Sequence, residues 1–151
     1  MIEVEDLAEL QQKVGETLGV SDWVLIDQSV IDRFAAATGD HNWYHVDVAR
    51  AGVEMPGGKT IAHGLLLSSL VPGLAGPMLS IRRRGRALNY GSDRVRYIAP
   101  VQCGARVRLH VDLQGVEPRS EGVLMTRHCT MEIEGDTKPA MVADVLTLIY
   151  R

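Results

Sequence analysis

An acid, an amide and an imidazole lie within six residues of one another, at Asp40, Asn42 and His45, directly after a glycine. A carboxylate and an imidazole on one turn can hold a single water and move protons to or from it. Further along, His63 precedes Gly64 at the start of the longest apolar run. A backbone N–H at the start of a buried helix can stabilise a developing oxyanion. These residues indicate acid–base chemistry beside a carbonyl group.

Each of these residues also has a purely structural interpretation. Asp40 could cap the following turn, His45 could be a satisfied and partly buried side chain, and His63 could simply mark a helix start. Three hydrogen-bonding side chains on one tight turn are more than a cap requires, and this favours function. His41 and His45 are four residues apart, but zinc would need a third ligand and the HExxH motif is absent. No metal site is therefore predicted.

Two further groups of residues could carry chemistry. Arg94 and Arg96 alternate on a predicted strand and should share one face, where an arginine turned toward a helix would need an acidic partner near the site. Arg96 is therefore included among the predicted substrate-binding residues. The arginine-rich segment 82–86 is either a solvated loop or a surface that attracts a phosphorylated ligand. Cys103 and Cys129 have no neighbouring base in sequence, which gives little support to a nucleophilic role.

Composition narrows the class of protein. The 151 residues, 46% of them hydrophobic, suit a single domain over 1–151 with its own core. A net charge of −3 and an aromatic share of 5% argue against a nucleic-acid partner. Two cysteines are too few for a disulfide scaffold. The N-terminus lacks the features of a signal peptide, and prolines and glycines interrupt the apolar run 64–81, so we expect a soluble, cytoplasmic protein.

The sequence predicts helices in the first half of the chain. Ser29 is predicted to cap a helix, with Asp32 completing a capping box, and this helix should end near Gly39. Residues 40–46 are then predicted to be loop, followed by a helical turn capped by Asp47. From Gly64 onward, apolar residues on more than one side predict a helix wrapped by other structure, with a kink or break at Pro72.

The sequence predicts strands in the second half of the chain. Alternating apolar and polar residues predict strands over 107–114 and 123–133, and residues 141–150 are apolar on both faces, as in a central strand. Residues 87–98 form another predicted strand, with Gly91 a possible bulge. Helices followed by antiparallel strands favour an α+β fold in which one sheet curls around one long helix.

The motifs resemble a known family. Residues 34–45, FAAATGDHNWYH, followed by IAHG at 61–64, are similar to the MaoC-like (R)-specific enoyl-CoA hydratases, and closest to their short, nodulation-protein-N-like members. The resemblance covers nearly the whole chain, including YGSDRVRY at 90–97. It implies the hot-dog fold, a long central helix wrapped by an antiparallel sheet of about five strands. It also implies a homodimer that binds CoA near the interface.

The resemblance further implies roles for individual residues. Asp40 and His45 fall on the catalytic pair that adds water to a trans-2-enoyl-CoA, giving an (R)-3-hydroxyacyl-CoA. Asn42 and Gly64 fall on the intervening amide and the oxyanion-hole glycine, and His63 and Arg96 complete the predicted substrate-binding set. The commonest form of the motif has proline and an aliphatic residue after the asparagine, where this chain has tryptophan and tyrosine. No cofactor is expected, because CoA arrives as part of the acyl thioester substrate.

Two other functions stay open at this point. A hot-dog acyl-CoA thioesterase would direct water at the thioester carbonyl instead of the β-carbon. A non-catalytic acyl-CoA-binding module would have lost the acid or the imidazole, and neither is missing. If the protein is a hydratase, a branched or polyketide-like substrate also stays possible.

Overall fold

Five helices and three short strands form the first half of the chain, and the long strands form the second. The computed structural model describes all residues, 1–151. The helices are α1 Leu7–Gln11, α2 Gln28–Thr38, α3 Trp43–Val46, α4 Val48–Glu54 and α5 Gly64–Ala75. The strands are β1 Ile2–Val4, β2 Thr17–Val20, β3 Val24–Ile26, β4 Leu79–Ile81, β5 Ala87–Tyr97, β6 Ala105–Arg119, β7 Gly122–Ile133 and β8 Met141–Tyr150.

One antiparallel sheet dominates the structure. Its strand order is β2-β6-β7-β8-β5, and β3 also pairs with β6, which makes six strands. Two short strands share the long β6, so the sheet has one more strand than the five or so expected. The small strands β1 and β4 pair in parallel beside it. The predicted α+β hot-dog architecture is confirmed.

Helix α5 lies against the inner face of this sheet. Its residues Leu66, Leu67, Val71 and Ala75 are buried. They belong to a single apolar cluster with sheet residues that alternate along the strands, including Leu109, Val111, Cys129, Met131, Met141 and Val145. This burial is what makes a helix with little amphipathic character stable in this position.

Two local predictions about helices are wrong. Asp27, not Ser29, caps α2, because its extended backbone lets the carboxylate accept the Val30 N–H at 2.9 Å. Residues 40–46 are not loop throughout, since α3 makes one helical turn from Trp43 to Val46. Of the kink or break predicted at Pro72, the break does not occur, because α5 continues to Ala75.

Strand β5 forms an edge of the sheet and is irregular. The register shifts at Asn89/Gly91, which confirms the predicted bulge, and shifts again between Asp93 and Arg96. Within the second irregularity Arg94 has a φ of 51°, in the left-handed region that non-glycine residues rarely occupy. Most of this strand is exposed on both faces.

Cys103 and Cys129 are both free thiols. Burial raises the pKa of Cys129 to about 11, which makes that thiol a poor nucleophile. No helix has the length and apolar character needed to cross a membrane.

Candidate active site

The end of α2 sets the position of Asp40. Gly39 closes the helix with a left-handed φ of 78°, and its N–H donates to the Ala35 carbonyl at 2.8 Å. A residue with a Cβ is strained in this conformation, so glycine at this position turns the chain sharply. The turn directs the chain toward α3, and the helix end predicted from the sequence is confirmed.

The Asp40 carboxylate is held by its neighbour Asn42. The Asn42 side-chain amide donates to Oδ1 at 2.6 Å, and the Asn42 backbone N–H donates to the same oxygen at 3.3 Å. The backbone hydrogen bond is the largest of the influences that lower the pKa of Asp40, and the nearby imidazoles lower it further. Asp40 is therefore a carboxylate near neutral pH, and its second oxygen accepts no hydrogen bond from the protein.

His45 lies on α3, and its side chain is buried. Its Nδ1 is 2.7 Å from the Ile61 carbonyl oxygen. Because a carbonyl can only accept, Nδ1 carries the hydrogen and Nε2 is left as an acceptor in the neutral ring. Burial lowers the pKa of His45, and the neighbouring His63 lowers it further. The ring is thus neutral at pH 7 and presents a free basic nitrogen.

Two residues that the sequence analysis missed fix the helix that carries His45. The Gln28 amide donates to the His45 carbonyl at 2.8 Å and accepts the Thr60 hydroxyl at 2.6 Å. The Ile61 N–H also donates to the Tyr44 carbonyl at 3.0 Å. Gln28 and Thr60 are 32 positions apart in the chain, and nothing in their local sequence marks them. They join three segments around the imidazole.

His63 packs directly on His45. The two rings stack with centroids 3.8 Å apart and an interplanar angle of 25°. The His63 Nε2 lies 3.0 Å from the Asp40 carbonyl oxygen, so it donates there, while the buried Nδ1 has no partner. The predicted substrate-binding histidine therefore also ties the Asp40 turn to the start of α5.

The structure brings together three donors that the sequence analysis, which weighed His41 with His45, did not combine. One ligand atom from each of Asp40, His45 and His63 lies within 4.8 Å of the other two. A carboxylate with two imidazoles is a donor set that zinc and related ions accept. The arrangement can act as an acid–base pair, or it can hold a divalent cation.

Gly64 is the first residue of α5, and His63 precedes it as the N-cap without a side-chain hydrogen bond to the helix. The amides of a first helical turn have no partner within the helix, so the Gly64 N–H is available to an acceptor from outside. The Tyr97 ring lies over this glycine, and a Cβ built there would be 2.9 Å from the ring. The predicted oxyanion donor therefore lies beside the stacked histidines.

Arg96 does not join this cluster within the chain. It is exposed, and its guanidinium donates to its own neighbour's carbonyl, that of Val95, at 2.7 Å. With Arg94, Gln114, His128, Val142 and Asp144 it borders a separate cavity on the outer face of the sheet. Arg94 does have the acidic partner that the sequence analysis expected, but this partner is Asp144 and not an acid near Asp40.

Comparison with known proteins agrees with this arrangement. Residues 9–133 match the MaoC like domain. The chain is 43% identical over 145 residues to nodulation protein N from Rhizobium leguminosarum bv. viciae, covering 95% of this chain and 90% of that one. It is 45% identical over 141 residues to 3-hydroxyacyl-thioester dehydratase Z from Mycobacterium tuberculosis, with 93% of each chain covered.

The fold comparison is consistent with these relatives. The structure of R-hydratase PhaJ1 from Pseudomonas aeruginosa in the unliganded form aligns with a TM-score of 0.74 at 22% identity, covering 97% of this chain and 86% of that one. At this level of identity the alignment establishes the fold. Since the domain match spans most of the chain and the relatives exceed 40% identity over more than nine tenths of it, the chain belongs to the MaoC-like dehydratase family.

Proposed function

We propose that this protein catalyses the reversible hydration of a trans-2-enoyl-CoA to an (R)-3-hydroxyacyl-CoA. The observation that carries the proposal is that Asp40 and His45 both present a free basic atom, beside an unpartnered N–H at Gly64. The names of a 3-hydroxyacyl-thioester dehydratase and an R-hydratase among similar proteins support the same reaction class.

The two bases suit the activation of one water. Water can donate one hydrogen to the Asp40 carboxylate and the other to the His45 Nε2, which leaves an oxygen lone pair directed outward at C3 of the enoyl group. As the C3–O bond forms, one base takes the water proton and the C2=C3 electrons move toward the thioester. A proton then passes to C2 from the conjugate acid. In the reverse direction the same groups remove the C2 proton and release water.

The Gly64 N–H suits the charge that develops during this step. Addition at C3 places negative charge on the thioester oxygen as an enolate. A donor held in advance at the start of α5 stabilises that oxygen without reorganisation, and removing one such donor typically costs about 3–4 kcal/mol. The water and the carbonyl oxygen are thus held by different parts of the site.

The two residues that depart from the commonest motif pack around the dyad. The Tyr44 ring contacts the His45 ring edge-on at 4.5 Å between centroids. The Trp43 ring lies edge-on to Tyr44 and beneath the Arg50 guanidinium, 4.1 Å from the ring centroid. Tyr44 therefore supports the imidazole directly, and Trp43 supports Tyr44.

Hydration of crotonyl-CoA tests the proposal. Hydration removes the conjugated double bond and leaves the thioester intact, so enoyl absorbance should fall without release of CoA thiol, and the product should be the (R) enantiomer. A chelator should leave the rate unchanged. Thiol appearing in step with turnover would assign a thioesterase, and binding without either change would assign an acyl-CoA-binding module. Loss of activity with EDTA and its return with zinc would instead assign a metal-dependent reaction to the same three residues.

The edge strand β5 supports assembly as a homodimer. It presents eleven residues, Ala87–Tyr97, along an open sheet edge, and its large side chains Leu88, Tyr90 and Tyr97 are 47%, 66% and 45% exposed. Long open edges with exposed large side chains are normally paired or protected, and pairing with a second copy buries this one. Sedimentation should give a dimer at micromolar concentration, and Tyr90→Arg should shift it toward monomer. A wild-type monomer under those conditions would contradict the proposal.

The free thiols are consistent with a reducing, cytoplasmic location.

A further inference from the structure

Two cavities lie along the side of α5 that faces β5. Gly64, Ser68 and Pro72 follow each other at intervals of four and therefore lie toward this side of the helix. Strand β5 covers this side, with the Tyr97 hydroxyl 2.6 Å from the Ser68 Oγ. Beyond them lie two neighbouring cavities, of about 30 and 220 Å³. Both are bordered by Pro72, Asn89 and Val145.

The larger cavity, at the far end, is apolar and holds positive charge. Its hydrophobic lining includes Ala75, Leu79, Ile81, Met125, Val145 and Ile149. Its polar lining consists of Asn89, Thr147 and two arginines, Arg84 and Arg127, and no carboxylate borders it. Arg84 is exposed at the mouth. Arg127 comes from the middle of β7.

Arg127 lies on the helix-facing side of the sheet, between Leu113 and Val145 on the adjacent strands, both of which are buried. Its guanidinium donates to the Thr147 hydroxyl at 3.1 Å, while its Nε is buried without any partner. Burial lowers the pKa of Arg127, although a guanidinium stays protonated in proteins. The chain thus keeps a half-buried cation, with a fully buried Nε, beside a cavity with no counter-charge.

A purely structural role explains this poorly. A half-buried charge with an unpartnered N–H and no acidic neighbour is unfavourable for folding, and a methionine would fill the same space without that cost. The arrangement becomes favourable when an anion from outside enters the cavity, because a guanidinium can bind a carboxylate through two parallel hydrogen bonds. The apolar walls and the Arg127 guanidinium fit a ligand with an apolar body and an anionic end.

The distance fits an acyl chain. Ala75 lies about 16 Å along the helix from Gly64 at a rise of 1.5 Å per residue. An extended chain advances about 1.2 Å per bond, so roughly a dozen bonds separate a carbonyl at Gly64 from the far cavity. We propose that this cavity receives the distal end of the acyl group, and that Arg127 selects enoyl-CoA thioesters whose chain ends in a carboxylate. This inference rests on the hydratase function proposed above.

The test compares two substrates of equal chain length, trans-2-dodecenedioyl-CoA and trans-2-dodecenoyl-CoA. The wild-type kcat/KM should favour the first, which carries the distal carboxylate. Arg127→Met should lower kcat/KM for the dicarboxylic substrate about 10- to 100-fold, the range expected for a hydrogen bond to a charged group. Crotonyl-CoA should be unaffected, because its short chain ends near Gly64. Arg84→Met, at the mouth, serves as the matched control and should change the preference less.

Binding of the saturated analogues separates this inference from the hydratase proposal. Dodecanedioyl-CoA should bind the wild type more tightly than dodecanoyl-CoA, and this measurement requires neither turnover nor a variant. If dodecanoyl-CoA binds equally well or better, the selection by Arg127 is disproved even if hydration is real. A uniform loss of affinity in Arg127→Met, crotonyl-CoA included, would also overturn it, since the cation would then contact the CoA phosphates or serve folding. If the wild type does not hydrate enoyl-CoA but still binds dodecanedioyl-CoA more tightly than dodecanoyl-CoA, only the proposed reaction is disproved.

Discussion

Two pairs of an aspartate and a histidine occur in this protein, and they are built in opposite ways. Asp144 is buried, with 3% of its side chain exposed, and accepts the His128 Nδ1 at 2.8 Å while also pairing with Arg94. In the other pair the imidazole of His45 is buried, the carboxylate lies nearer the surface, and no hydrogen bond joins the two.

The difference lies in where the hydrogen bonds go. Burial opposes ionisation of Asp144, but the bonds from His128 and Arg94 lower the pKa of its carboxyl, and both oxygens are engaged. In the active-site pair, Asp40 accepts a hydrogen bond from Asn42, and His45 donates one to the Ile61 carbonyl. The other carboxylate oxygen and the other imidazole nitrogen therefore stay free. The same residue types thus form a closed structural pair on the sheet and an open pair on the turn, whose free basic atoms the proposed reaction uses.

Removing either member of the open pair should have the largest effect. Asp40→Asn and His45→Gln keep the shape of each side chain and remove its basic atom, and proton-transfer groups typically contribute about 10²- to 10⁴-fold. Turnover on crotonyl-CoA should fall by that factor, while thermal unfolding shows a folded protein. Both quantities should be measured on the same preparation. Near-wild-type turnover in either variant would mean that this residue is not part of the dyad.

Gly64→Ala should give the next largest effect. The new Cβ meets the Tyr97 ring at 2.9 Å, so the ring must move within the space that the thioester uses. We expect a loss in kcat of up to about 10²-fold. Stability should change by no more than about 1 kcal/mol, because alanine is the better helix former. Gly73→Ala is the matched control in the same helix, since a Cβ there has open space; its turnover should not change.

A double variant decides what the glycine does. Gly64→Ala combined with Tyr97→Leu removes the ring that the new methyl group meets. If turnover returns in the double variant, the glycine serves to accommodate Tyr97. If turnover stays low, the methyl group interferes with the carbonyl oxygen at the Gly64 N–H, as the oxyanion role requires.

The dependence of rate on pH should sharpen the comparison further. Burial lowers the pKa of His45 from its ordinary 6.5, and Asn42 lowers that of Asp40 from 3.8, so both are in their basic forms at pH 6.5 and above. The kcat/KM should fall to half of its plateau only at a pH below 6.5 and decline further from there, by up to tenfold per pH unit. A decline that begins well above pH 6.5 would contradict a buried, neutral His45.

The same shift affects stability, with a definite sign. His45 has a lower pKa when folded than when unfolded, so below pH 6.5 the unfolded chain binds more protons at this position. Its contribution to stability is therefore present above pH 6.5 and is lost as the pH falls through the folded value. His45→Gln should reduce this part of the pH dependence of the melting temperature.

The sequence revealed the open pair because its members are local. Asp40, Asn42 and His45 lie within six residues, and a glycine ends the helix before them, so short-range rules suffice to place them on one turn. The supports of that turn are not local. Gln28 and Thr60 meet across 32 positions, and such a contact depends on the packed fold. The fold class itself follows from the alternating apolar residues of the long strands and from an α5 too apolar to lie on a surface.

Other errors have similar causes. Two acceptable capping residues, Asp27 and Ser29, stand two positions apart, and only the extended backbone at Asp27 decides between them. The structure also has a feature that the sequence did not predict. A second irregularity in β5 lies between Asp93 and Arg96, and the sequence carries no glycine there to signal it.

Disrupting the closed pair should leave activity unchanged and lower stability instead. Asp144→Asn keeps the shape of the side chain but removes the charge that faces His128 and Arg94, and loss of such a buried hydrogen-bonded partner typically costs about 1–3 kcal/mol. His128→Gln, which loses the more exposed partner, should cost less. Because the pair lies on the outer face of the sheet and α5 on the inner face, kcat and KM for crotonyl-CoA should match the wild type. Denaturant unfolding and turnover, measured together, check both halves of this expectation. A loss of turnover in a variant that remains folded would show that the outer face also communicates with the dyad, and the contrast between a structural and a reactive pair would then have to be abandoned.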